Sequence, residues 1–136
     1  MPETKNLHVS VVTPAKPVYD GAAKAVVAPA FDGEVGVLPG HASFLALLGT
    51  GVVRVTTPDG KLRSLAVRGG FLQVHQDRVT VLTQESVASE EVAPDALQTE
   101  MDRLAEEKPT KFEEREALDA RRAWVKARQR AGQRRN

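Results

Sequence analysis

The chain has 136 residues, enough for one well-cored domain and a small appendage. Aromatic residues make up only 4% and cysteine is absent, so Val, Leu and Ala must fill the core, and disulfides, thiol catalysis and thiolate metal sites are excluded. A formal net charge of +1 hides a division: residues 1–91 carry eight basic and nine acidic side chains, residues 92–119 carry four and nine, and residues 120–136 carry seven and none.

In chain order, residues 7–12 alternate Leu7, Val9 and Val11 against His8 and Ser10, which predicts a strand ended by Pro14 and Pro17. Residues 24–28 give a second strand, followed by Pro29 and an Asp32-Gly33 turn. Residues 35–38 and 44–48 flank a Pro-Gly-His loop. Residues 52–57 and 62–68 form a hairpin over Pro58-Asp59-Gly60-Lys61, and residues 71–75 and 78–83 form another over Gln76-Asp77. Short strands at this spacing predict an antiparallel β-sandwich or barrel over residues 1–88.

The period changes after Glu91. Pro94 and Asp95 suit the first turn of a helix, and Leu97, Met101 and Leu104 recur on one face until Pro109 stops it. Thr110-Lys111-Phe112-Glu113 has capping-box spacing and opens a second helix, in which Ala120, Trp124, Ala127 and Ala131 share a face. The alanines are predicted to bring the two helices close together, with Trp124 as their anchor. Residues 89–136 thus read as an antiparallel αα-hairpin whose thin apolar stripes predict marginal packing and mobility. The fold class is α+β: a sandwich followed by a helical hairpin.

Catalytic and ligand patterns are missing. His8, His41 and His75 have no metal-ligand spacing, Ser43 and Ser64 lack a nucleophile elbow, and no Gly-x-x-x-x-Gly-Lys phosphate loop occurs. The expectation is a protein without catalytic residues, metal or cofactor. No apolar run approaches the roughly 20 residues of a membrane span. The polar start, residues 1–6, reads as lacking a signal or transit peptide, so a soluble, cytosolic chain is expected, with membrane association only through a partner.

The most informative stretch is Gly33-Glu34-Val35-Gly36-Val37-Leu38-Pro39-Gly40-His41-Ala42, where three glycines and a proline shape a loop among apolar residues. On residues alone, Glu34 is a solvated turn carboxylate. The order of residues, however, closely resembles the signature of the ε subunit of bacterial F-type ATP synthases. Gly69-Gly70-Phe71, followed by Gln73-Val74, matches a second family segment, and the charged hairpin matches the family's carboxy-terminal part.

This resemblance implies a non-catalytic rotor subunit of the central stalk, coupling ion flow through the c-ring to ATP synthesis. Its sandwich is expected to pack on the γ subunit and rest on the c-ring, with Glu34, Val35 and Gly36 at the c-ring interface. Pro39, Gly40 and His41 would shape the loop or touch γ or the c-ring. The hairpin would extend to inhibit ATP hydrolysis, Arg121, Arg122, Lys126, Arg128 and Arg130 meeting an acidic segment of the catalytic β subunits of the α/β head. The implied location is peripheral, on the cytoplasmic face of the bacterial plasma (inner) membrane.

Two competing readings of the basic helix stay open behind that one: a solvated face whose cations suit a helix carboxyl end, and nonspecific nucleic-acid binding, which lacks its usual stacking aromatics. Their counterpart for the whole chain is a free-standing sandwich adaptor. One family motif is broken. Members that bind ATP in the hairpin carry aliphatic-Asp-x-x-Arg-Ala, whereas registering Asp95 on its aspartate puts Gln98 in place of the arginine. No nucleotide-binding residue is therefore assigned.

Overall fold

The computed structural model describes residues 5–133. The amino-terminal residues 1–4 and the last two cations of the basic block, Arg134 and Arg135, lie outside the described residues. Eight strands come first: β1 (Leu7–Val12), β2 (Pro17–Ala23), β3 (Ala25–Ala30), β4 (Gly33–Val37), β5 (Phe44–Thr56), β6 (Leu62–His75), β7 (Arg78–Leu82) and β8 (Ser86–Ala88). A short 3-10 turn, Ser89–Glu91, leads to helices α1 (Pro94–Glu106) and α2 (Phe112–Gln133).

The strands form one continuous sheet in the order β2-β1-β7-β6-β5-β3-β4, with β8 added to β6. All pairings are antiparallel except β1 with β7, which run parallel in the register Val9↔Val79 and Val11↔Val81. Both ends of the sheet close over a single aliphatic core built from strands alone, including Leu7, Val9, Val11, Val26, Val53, Val67, Leu72 and Val79. The predicted alternation in β1 therefore faces that core.

Three features depart from the strand reading. Pro17 does not merely end a segment; it opens β2, a position where the missing N–H costs no ladder bond. Residues 44–48 and 52–57 are not separate strands, and neither are 62–68 and 71–75. β5 and β6 run unbroken for 13 and 14 residues in one constant register from Phe44↔Val74 to Thr56↔Leu62. Along both strands the core-facing positions change parity, from Leu48 to Val53 and from Val67 to Leu72. Glycine makes that change possible: Gly70 has φ +115°, and a Cβ there would lie 1.8 Å from the Leu82 carbonyl oxygen.

Both predicted turns form. Thr57 N–H donates to the Lys61 carbonyl across the Pro58–Lys61 loop, and Gln76 and Asp77 take φ 49° and 62°, the left-handed pair of a two-residue hairpin.

The hairpin forms with a different division of labour from the one expected. Leu97, Leu104, Leu118 and Val125 hold α1 to α2, with Met101 beside them. Trp124, Ala127 and Ala131 turn the other way and bury against Val52, Ala66 and Val87 of the sheet, while Ala120 is exposed. The small residues thus bring α2 close to the sandwich, not to α1. The capping contact also shifts by one residue: the Thr110 amide and hydroxyl both donate to the Glu114 carboxylate, at 3.3 and 3.5 Å, in place of Glu113.

Candidate docking surfaces

Sheet register assembles an exposed apolar row that periodicity did not single out. Leu47 lies opposite Phe71, and Phe71 lies opposite Leu82, so three side chains share one face of β5, β6 and β7. The Phe31 amide donates to the Leu47 carbonyl, which brings the tip of the β3–β4 hairpin to the same row, and Leu45 sits two residues along. All five are about half exposed or more, with Phe71 at 47% and Phe31 at 80%. Large apolar side chains exposed side by side make this row a candidate interaction surface. The sequence held one signal for it. Residues 44–48 are apolar at every position, although an antiparallel strand with one solvated face should alternate.

Glu34 stands near the start of the edge strand β4, not in a turn. Its two carboxylate oxygens accept from the Arg54 guanidinium on β5 at 2.9 and 3.2 Å, a two-point contact that fixes the carboxylate's direction. Val35 is half-buried over the core, and Gly36 is exposed. A cleft of about 250 Å³ beside the pair is lined by Pro29, Gly51, Arg54 and, from the last turns of α2, Arg130.

Pro39, Gly40 and His41 follow the other end of β4, so they do not converge with Glu34. The Gly40 amide donates to the Asp77 carboxylate at 2.7 Å, tying this loop to the β6–β7 turn. The same turn's carbonyl accepts the His8 amide. His41 Nδ1 lies 2.8 Å from the Ala42 carbonyl, and its ring stands 4.9 Å from that of Phe44. The sequence marks Asp77 only as a turn residue, because its bond to the Gly40 amide spans 37 residues. His75 Nδ1 and the Ser43 hydroxyl are 3.1 Å apart. Among the described residues no three His, Cys, Asp or Glu group as metal ligands, and no helix is long and apolar enough to cross a membrane.

The five α2 cations that the resemblance singles out fall into different settings. Arg121 pairs with Glu107 at 3.1 Å, and Arg128 pairs with Glu100 at 2.7 Å while its guanidinium lies 5.2 Å over the Trp124 ring. Arg122 donates to the Leu104 carbonyl at the end of α1. Lys126 is exposed at an apolar groove between the helices beside Met101 and Leu104, and Arg130 faces the Glu34–Arg54 cleft. Gln98 donates to Asp102 within α1 at 2.9 Å. Two titrating groups are perturbed. Burial raises the Tyr19 phenol above its ordinary 10.0, and the Thr57 hydroxyl holds Asp59 below its ordinary 3.8.

Residues 6–89 match the family model of the ATP synthase delta/epsilon chain β-sandwich domain. The ATP synthase epsilon chain of Prochlorococcus marinus (strain MIT 9211) is 40% identical over 131 residues, covering 90% of this chain and 96% of its own. That of Synechococcus sp. (strain JA-2-3B'a(2-13)) is 38% identical over 115 residues, covering 85% and 83%. The epsilon chain of Anoxybacillus flavithermus reaches 46%, but over 88 residues and 65% of each chain. Among solved structures, a chain of the Euglena gracilis mitochondrial ATP synthase (OSCP/F1/c-ring) superposes with a TM-score of 0.81 at 21% identity, over 93% of this chain and 81% of that one. At that identity it establishes the shared fold. The sandwich with its glycine-shaped loop, the family match and the near full-length relatives together make this chain a member of the ATP synthase delta/epsilon chain family.

Proposed function

We propose that the chain is the non-catalytic ε subunit of an ion-translocating F-type ATP synthase, bound between the γ subunit and the c-ring and turning with them under the α/β head. The observation that carries this reading is the uncovered row Phe31–Leu47–Phe71–Leu82 on a sandwich of this family. A rotor subunit that transmits torque needs a broad apolar seat, and this row provides one for γ. Glu34, Val35 and Gly36 are assigned to the c-ring, where a carboxylate held by Arg54 sets register and orientation more than affinity. Pro39, Gly40 and His41, held through Asp77, shape the adjoining loop. The complex then sits on the cytoplasmic face of the bacterial inner membrane, with this subunit peripheral.

The division at residues 88 and 89 separates the dock from a regulatory hairpin. Arg121, Arg122, Lys126, Arg128 and Arg130 are assigned to an acidic surface of the catalytic β subunits, reached when the hairpin leaves the sheet. The test is binding of the full chain and of its L47K/F71K variant to a γ-containing head lacking this subunit. The two lysines face each other across β5 and β6, so a variant that keeps the parent's circular dichroism and urea midpoint but no longer binds places the dock on this row. Unchanged binding moves γ to another face.

A further inference from the structure

The ladder between β3 and β5 is interrupted beside Glu34. Its register runs from Ala25↔Thr56 to Val27↔Arg54 and resumes at Ala30↔Leu48, so residues 49–53 of β5 stand opposite Ala28 and Pro29 alone. Proline has no amide to give a ladder, and Gly51 leaves room for its ring, since a Cβ there would lie 2.7 Å from the Pro29 Cβ. The interruption opens the cleft of about 250 Å³ that Glu34 and Arg54 line from the sandwich and Arg130 lines from α2. Val52 lines it too, and Val52 also receives Trp124, Ala127 and Ala131, so the cleft and the hairpin's seat share a wall. Two guanidiniums and one carboxylate thus face one small space. They differ in freedom: the Arg54 side chain is 20% exposed and the Glu34 side chain 55%, so the carboxylate is the member that can turn outward.

We propose that this cleft is a composite interaction surface, with one wall from the sandwich and one from the folded hairpin, whose partner is a c-ring turn presenting a hydrogen-bond donor or a cation to Glu34. Such a group draws the carboxylate away from Arg54. Arg54 is too enclosed to follow, and its charge then faces Arg130 without the carboxylate that offset both. The last turns of α2 are repelled, so docking on the c-ring loosens the hairpin at its carboxyl end. Linkage makes the effect reciprocal: the folded hairpin holds Glu34 in the cleft and weakens its c-ring contact by the same factor. This rests on the reading of Glu34 as a c-ring contact and adds what that contact does to the hairpin.

Hydrogen exchange at the amides of residues 126–133, read by mass spectrometry, tests this in two arms. In the free full chain, E34Q should speed their exchange roughly two- to fivefold, the size of one partly exposed charge interaction, and leave the β1 and β7 amides unchanged. In an R130A background E34Q should have no effect on them, and salt at about 0.5 M should shrink the effect where Arg130 is present. No acceleration by E34Q, or an equal one with and without R130A, overturns the coupling. The second arm compares the γ-bound chain with and without purified c-ring. Docking should speed the same amides by a similar factor, and R130A should remove that response. Unchanged exchange on docking overturns the proposal, and slower exchange does so by making α2 itself a c-ring contact. The underlying reading fails differently. If E34Q loosens α2 in the free chain yet binds the c-ring as tightly as the parent, the cleft's electrostatics stand, Glu34 leaves the c-ring interface, and the partner assigned here is overturned.

Discussion

Trp124→Ala isolates the joint between hairpin and sandwich. The indole is 6% exposed and lies among Val52, Ala66, Ala127, Ala131 and Val87. A tryptophan buries about 150–250 Å². At roughly 25 cal/mol per Å² its loss removes about 4–6 kcal/mol, an upper figure because the unfolded chain also hides apolar surface; measured core truncations of this kind cost about 3–5 kcal/mol. The sandwich core contains no helix residue, so the loss should fall on hairpin docking alone. Hydrogen exchange followed by mass spectrometry is the assay. Amides of α1 and α2 should exchange roughly 150- to 5,000-fold faster, while the β1, β6 and β7 amides around Val9, Leu72 and Val79 keep their protection. Equal loss of protection across those strands would refute the reasoning, because it would make hairpin and sandwich one cooperative unit.

Gly70→Ala should cost at least about 3 kcal/mol in urea unfolding, since it combines a left-handed φ with a Cβ 1.8 Å from the Leu82 oxygen; a loss below about 1 kcal/mol would mean that β6 shifts freely there. Asp77→Ala removes the acceptor of the Gly40 amide, so exchange at residues 39–43 should rise several-fold with global stability lowered by about 1 kcal/mol or less. Asp59 has its folded pKa held below 3.8, so its contribution is present above that value and fades as pH falls through the lower folded value. Thr57→Ala should therefore flatten the stability–pH curve below about pH 4 and leave its slope at neutral pH unchanged.

What the sequence disclosed was local. The Pro58–Lys61 and Gln76-Asp77 turns have residue types that determine their own geometry, and the Leu7, Val9, Val11 alternation has a period that identifies its buried face. β2 escaped because Pro17 reads as a breaker and Gly21-Ala22-Ala23 has little strand preference, so its pairing with β1 is what makes it a strand. The continuity of β5 and β6 escaped because glycines, which end strands in a local reading, here let two paired strands change faces together. At the surface, Glu34 was found but its Arg54 partner, 20 residues away, was not. The alanine face of α2 was legible as a close-packing surface, yet helix periodicity cannot say whether a helix or a sheet receives it.

The central claim is that one part of the chain docks and the other restrains. ATP hydrolysis by a catalytic head lacking this subunit should be titrated with the full chain and with a version ending at Glu91, binding being followed in parallel. The account predicts that both bind with similar affinity and that only the full chain slows hydrolysis. Inhibition by the shortened chain as strong as that by the full one, or failure of both to bind the head, would contradict it.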